Sequence, residues 1–242
     1  NEELSSFAYV ASHDLQEPLR KIQIFSKRIL ESELEHLSPN GKNYFDRMKN
    51  AAERMQLLIE DLLAYSRMGT MEGDYEKVHL LELVEDVKET LREEINQKKA
   101  TIEAENLCEC VVIPFQFRQL LLNLFSNSLK FSKNGTPPVI TVRSTVDEGK
   151  DIGHPALDSE KEYCHITIAD NGIGFEPEFS EQIFGLFQRL HGKKEYPGTG
   201  IGLSICKKII ENHKGIITAS GEQGKGALFN IYIPNKMEQP VH

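Results

Sequence analysis

A histidine followed directly by an acid, His13-Asp14, is the first pair in the chain that could do chemistry. An imidazole whose Nδ1–H is held by a carboxylate presents Nε2 as a free nucleophile. Pro18 has no N–H to offer the Asp14 carbonyl and is expected to bend a helix beside His13. Further along, Asp170-Asn171-Gly172-Ile173-Gly174 follows an alternating strand. A carboxylate there can accept from an exocyclic amine, and glycines let a ligand approach the backbone. Gly198-Thr199-Gly200-Ile201-Gly202-Leu203 precedes a helical pattern. Free N–H groups at a helix start favour phosphate. Each cluster alone is a weak signal, since glycine most often serves a turn, and the common G-x-x-x-x-G-K-[ST] phosphate loop is absent.

Asn123 and Asn127 share one helix face, and Lys130 lies one turn further on the same side. Beside a phosphate site, such an amide oxygen can hold Mg²⁺ and the ammonium can meet a phosphate; elsewhere the same residues are solvated surface. The other histidines, including His79, His165 and His213, have no comparable company and are expected at the surface or at element edges.

Two organisations must position these residues. Leu4, Ala8, Ala11, Leu15, Pro18, Ile22, Phe25 and Ile29 form a heptad seam, which puts His13 at position f on the outer face. A second seam runs Phe45, Met48, Ala52, Met55, Ile59, Leu62, and Ser38-Pro39 starts its helix as N-cap and first position. Each helix would be about 30 residues, or roughly 45 Å. A lone hairpin cannot close a core, so pairing two hairpins into a four-helix bundle is expected, which makes the protein a homodimer. Met68 to Asp74 carries two glycines without periodicity and reads as a linker. Beyond it, 80–97, 115–131 and 201–212 read as helices. Val139–Val142, Cys164–Ile168, Ile216–Ser220 and Ala227–Ile233 read as strands. Thr145 to Glu162 reads as a polar hairpin insertion. The class is α+β. The expected domains are 1–68, a linker 69–76, and 77–242.

The formal net charge of −9 over 242 residues argues against nucleic acid as a partner. No apolar run reaches the roughly 20 residues of a membrane span. The start is charged and helical in pattern, without a signal peptide, and reads as a piece of a longer protein. The four cysteines show no familiar metal spacing; small half-buried thiols in a reducing, cytoplasmic setting are expected.

Taken together, these motifs resemble the sensor histidine kinases of two-component signalling over almost the whole chain. Ser12 to Arg20 looks like the H box of the dimerisation and phosphotransfer domain, with wording similar to phytochrome-like kinases. Asn123 to Lys130 looks like the N box and Asp170 to Gly174 the G1 box. Phe184 to Phe187 looks like the F box and Gly198 to Leu203 the G2 box. The order and spacing match, and five boxes in agreement are far more specific than any one.

The resemblance implies an α/β sandwich of Bergerat type that binds ATP, behind a helical hairpin that dimerises. Asn127 would ligate Mg²⁺, with Asn123 close to the phosphates and Lys130 touching them. Asp170 would accept from the adenine amine in a pocket shaped by Gly172 and Gly174. Gln188 to Thr199 would be a lid, with Gly200 and Gly202 as hinge and phosphate contacts. Arg189 would reach the γ-phosphate. Phe184 and Phe187 would pack, at least in part, in the core under that lid. His13, oriented by Asp14, would take the phosphoryl group and pass it to a response-regulator aspartate. Many members carry Thr or Asn four residues after the histidine to position a water; here that residue is Glu17, which puts phosphatase activity in doubt. The competing classes are another ATPase of the same superfamily, against which the His-bearing hairpin counts, and a non-catalytic scaffold, against which the intact Asn127, Asp170 and glycine boxes count.

Overall fold

Two amphipathic helices open the chain. The computed structural model describes residues 2–33, 36–67, 73–190 and 198–235, with the side chains of the first helix from Leu15 onward. It divides into two units, Asn1–Met71 with Pro197–Ile201 and Glu72–Tyr196 with Gly202–His242.

In the first unit, α1 (Glu2–Ser32) runs through Pro18 without interruption. Helix α2 (Pro39–Arg67) starts as its sequence requires, the Ser38 hydroxyl accepting the Gly41 N–H at 3.1 Å. The helices meet through Leu19, Ala52 and Ile59, with Leu63 beside them and Ser26 buried. This in-chain contact differs from the expected seams. Leu15, Ile22, Phe25, Met48 and Met55 stay exposed, at 45–59% of their surface. Of the second seam, Ala52 and Ile59 are buried in the hairpin, Phe45 and Leu62 are half-buried, and Met48 and Met55 stay exposed.

The second unit is a helix-on-sheet sandwich. The elements run β1 (Glu76–His79), α3 (Leu80–Thr90), α4 (Arg92–Lys98), β2 (Thr101–Glu105), β3 (Glu109–Val112) and α5 (Pro114–Lys130). They continue with β4 (Val139–Glu148), a short α6 (Gly149–Ile152), β5 (Glu162–Asp170), α7 (Gly202–Asn212), β6 (Ile216–Glu222) and β7 (Gly226–Pro234). The main sheet has the order β2-β4-β5-β7-β6; β2 and β4 are parallel and the other pairs antiparallel. A separate ribbon pairs β1 with β3.

Alternation in the strands puts Ile140 and Val142, Ile166 and Ile168, and Ile231 and Ile233 on one face, all at most 1% exposed. Leu80, Val84 and Val87 of α3, Phe117 to Leu129 of α5 and Ile205 to Ile210 of α7 supply the opposing layer. Each such aliphatic side chain contributes about 1.5–3 kcal/mol of burial. Asp170 has the same parity as Ile166 and Ile168, so the strand that builds the core also carries the acid into the sandwich.

Three local expectations change. The helix expected over 80–97 breaks at Leu91, whose ψ of 8° departs from the helical value, and α4 ends at Lys99 in the left-handed region. The strands on either side of the polar stretch are longer than expected, because β4 and β5 stay paired out to Glu148 and Glu162, and α6 and turns fill the hairpin connection between them. Strands β1, β2 and β3 are four or five residues long and carry charges, so their alternation was too short to read.

Candidate functional site

Helix α5 is the platform. Its buried stripe, Leu120, Leu121, Leu124, Phe125, Ser128 and Leu129, locks it on the sheet. That leaves Asn123, Asn127 and Lys130 half-buried along the adjacent face, as their spacing predicted. Asn123 accepts from the Gln119 amide at 3.0 Å and donates to the Gly202 carbonyl at 3.1 Å, which ties α5 to the first residue of α7. The Asn127 amide hydrogen-bonds to no described side chain or backbone group, so its oxygen is a fitting donor to a hard cation.

Lys130 sits over the Phe131 ring at 4.6 Å. Burial, and then the nearby Arg189 guanidinium, hold its pKa below the ordinary lysine value. Two cations on one partly desolvated face repel each other, and an anion placed against them relieves that repulsion. The predicted Lys130 and Arg189 are thus brought together by the fold.

Asp170 closes the other part of the site. Its Oδ1 accepts the N–H groups of Gly172 at 2.9 Å and Ala227 at 3.2 Å, and its Oδ2 accepts the Ser128 hydroxyl at 2.9 Å. Burial raises its pKa, and these three donors oppose the rise. A carboxylate offers about four lone-pair sites, so one acceptor position is left for a ligand donor. Neither Ser128 nor Ala227 was singled out in the sequence. A Cβ on Gly226 would lie 1.9 Å from the Asp170 carbonyl oxygen, and one on Gly172 would lie 2.6 Å from the Phe131 carbonyl oxygen. Gly174 has φ +65°, and its Cβ would strike the Glu222 carbonyl at 2.0 Å. These glycines allow three backbone segments to crowd around one acid.

Other predicted residues fall differently. His13 and Asp14 lie on α1, but their side chains are outside the described residues. Of the expected lid, 191–197 is also outside them. Thr199 and Gly200 belong to the first unit, where the Thr199 hydroxyl donates to the Asp61 carboxylate and accepts the Ile201 N–H at 3.3 Å. Gly202 opens α7 in the second unit. Phe184 is core, edge-on to Phe229, whereas Phe187 is 58% exposed with φ +61°, so it does not share that core. His213 is not a surface residue. It is 2% exposed, because the end of α7 turns it under α5.

The comparisons agree with this geometry. The family described as Histidine kinase-, DNA gyrase B-, and HSP90-like ATPase matches residues 113–237. The His Kinase A (phospho-acceptor) domain matches residues 3–70. The chain belongs to the first of these families and carries the phospho-acceptor domain ahead of it, the domain pair of a sensor histidine kinase. It is similar to the phytochrome-like protein Cph1 of Synechocystis sp., at 35% identity over 97% of this chain and 29% of that protein. It is also similar to cyanobacterial phytochrome A of Nostoc sp., at 36% identity over 97% of this chain and 29% of that protein. The chain therefore spans under a third of these relatives' length. A crystal structure of full-length ShkA in complex with AMPPNP shares the fold, with a TM-score of 0.68, 21% identity and coverage of 98% of this chain and 47% of that one. No helix among the described residues is long and apolar enough to cross a membrane.

Proposed function

We propose that this chain uses ATP to phosphorylate its own His13 and passes the phosphoryl group to an aspartate of a response regulator. The observation that carries the proposal is the convergence of Lys130 and Arg189 beside Asn127, in the unit that holds the buried, three-donor Asp170. That is a site for a purine at one end and a polyphosphate at the other. The phospho-acceptor match over 3–70 supports a kinase over an ATPase without such a domain.

In this reading Asp170 accepts from the adenine amine, with Gly172 and Gly174 shaping the pocket. Asn123, Lys130, Arg189 and Gly202 of the second unit would contact the phosphates, and Thr199 and Gly200 are proposed as further phosphate contacts. Asn127 would hold Mg²⁺; the half-buried amide without a described partner fits it, and the cation would supply charge neutralisation at the phosphate oxygens. Asp14 would hold Nδ1–H of His13. The Nε2 lone pair forms the N–P bond in line as the γ-phosphorus–oxygen bond breaks, and ADP leaves. Lys130 and Arg189 offset the charge that spreads over the transferring group.

The domain limits 1–68, 69–76 and 77–242, the homodimer, the response-regulator partner and a cytoplasmic location belong to the same proposal. The exposed row of Leu15, Ile22, Phe25, Met48 and Met55 supports the dimer. Glu17 sits where a water-positioning amide or hydroxyl would be needed, which speaks against phosphatase activity.

The test is labelling with γ-labelled ATP and Mg²⁺. An acid-labile, base-stable label is expected, and His13→Gln should abolish it while ATP binding persists. A label that survives the substitution refutes the assignment of His13.

A further inference from the structure

Three of the four cysteines meet at the end of the sheet remote from Asp170. Cys164 lies near the start of β5, and Asp170 at its far end. The sulfur atoms of Cys108 and Cys164 are 2.8 Å apart, and the Cys110 thiol also hydrogen-bonds Cys164. Cys108 precedes β3 and Cys110 lies within it, two residues on and so on the same side of an extended chain.

The backbone of Cys108 is held in place from several directions. Its N–H donates to the Ser144 hydroxyl at 2.7 Å, and that hydroxyl reaches the Asn106 carbonyl at 3.4 Å. Its own carbonyl accepts the Leu80 N–H at 3.3 Å, at the start of α3. Ser144 is paired with Ile166 across β4 and β5, two residues from Cys164. The segment carrying one thiol is thereby fastened to the strand next to the other. A disulfide requires the sulfurs to close to about 2.05 Å, a side-chain adjustment rather than a rearrangement of strands.

We propose that Cys108 and Cys164 are an oxidation site of the ATP-binding unit, which a peroxide converts into a disulfide. Cys108 is half-exposed and Cys164 is fully buried, which sets the order of events. The Cys108 sulfur attacks one oxygen of hydrogen peroxide, the O–O bond breaks, one water leaves, and Cys108 becomes a sulfenic acid. The Cys164 sulfur then attacks the Cys108 sulfur, the S–S bond forms, and a second water leaves. Two thiols and one peroxide give one disulfide and two waters; the sulfurs lose two electrons and the peroxide gains them.

Environment sets the rate. The hydrogen bond to Cys164, and then burial, push the Cys108 thiol above the ordinary range. The hydrogen bond from Cys108 pulls Cys164 down, but Cys110 and burial outweigh it and leave that thiol raised too. Little thiolate exists at neutral pH, so oxidation is slow there and speeds up as pH rises. The site answers sustained rather than brief oxidant, and a reducing compartment returns it to thiols. Cys206, which burial pushes up to about 12, is an internal unreactive thiol.

The test uses the whole chain, treated with hydrogen peroxide under native conditions at two pH values, followed by thiol titration and non-reducing peptide mapping. The four titratable thiols should fall to two. One Cys108–Cys164 peptide, reversed by a thiol reductant, should account for the loss, and it should form faster at the higher pH. The oxidised chain should melt at a higher temperature, since the bridge closes a loop spanning 56 positions. Cys110→Ala and Cys206→Ala should leave the bridge in place, whereas Cys108→Ser should abolish it. The wild-type map decides the matter even if a variant folds poorly. Four remaining thiols, sulfinic acid at Cys108 without a bridge, or a Cys110–Cys164 bridge as the main product would each overturn the proposal.

Discussion

The backbone N–H of Ile113 donates to Nε2 of His213 across 2.9 Å, joining the residue ahead of α5 to the residue just past α7. With Nε2 an acceptor, the ring proton sits on Nδ1 and donates to the Ile209 carbonyl at 2.7 Å. Tyr75 and Phe117 meet the ring edge-on, each at 5.4 Å between centroids. Both nitrogens are used only in the neutral form, and the two helices that carry the Asn123–Gly202 contact are tied together a second time, at the start of α5 and the end of α7.

Burial lowers the pKa of His213, with the hydrogen bond to Ile209 opposing it. The unfolded chain therefore binds a proton before the folded one does. Between the ordinary value of about 6.5 and the lower folded value, stability falls as pH falls. Above about 6.5 neither state is protonated there and this contribution is flat. Denaturant unfolding at pH 7 and pH 5.5 should show a drop for the wild type and a shallower one for His213→Ala. His213→Ala should itself cost about 2–4 kcal/mol at pH 7, from the cavity and the orphaned Ile113 N–H. Equal pH slopes would refute the role of His213.

Asp170→Asn should weaken ATP binding by about tenfold or more, near 1.4 kcal/mol, because an amide cannot accept from Gly172, Ala227 and adenine with one oxygen. Calorimetric titration measures this. Ser128→Ala should have a smaller effect, since it removes a single neutral donor. Unchanged affinity in Asp170→Asn would mean the adenine contact lies elsewhere.

The glycines around Asp170 separate two costs. Gly226→Ala and Gly174→Ala combine positive φ with a carbonyl at 2.0 Å or less from the new Cβ, and each should cost about 3 kcal/mol or more. Gly224→Ala has φ +78° and open space around it, so only the backbone term of about 1–2 kcal/mol should appear. Thermal unfolding of the three variants should show that order; a large loss in Gly224→Ala alone would contradict it.

The outer face of the hairpin predicts self-association. Ile22→Glu with Phe25→Glu should give a monomeric mass in light scattering, with ATP binding kept, because both residues are exposed on α1. A wild-type chain already monomeric at micromolar concentration would remove the four-helix bundle from the proposal.

Periodicity carried the helices at the site into view, because helical spacing is local. Asn123, Asn127 and Lys130 could be placed on one face from their numbers alone, and the burial of α5 agrees. The helix start at Ser38-Pro39 was legible for the same reason, since capping needs only neighbours. Short charged strands were not legible, because β1 and β3 become strands only by pairing with each other. The in-chain face of the hairpin was not legible either: a heptad seam shows which residues seek apolar partners, not which partner each one meets.

By itself the sequence determined the order of the boxes, the α+β class, and the identity of the acid and amides offered to a ligand. Tertiary structure decided what surrounds them. Ser128 reaches Asp170 across 42 positions and Ala227 across 57. Arg189 comes to Lys130, and Cys108 to Cys164. His213 changes from an edge residue into a buried strut. In each case the deciding contact spans dozens of residues, and no local preference encodes a distance that only the packed sheet and helices set.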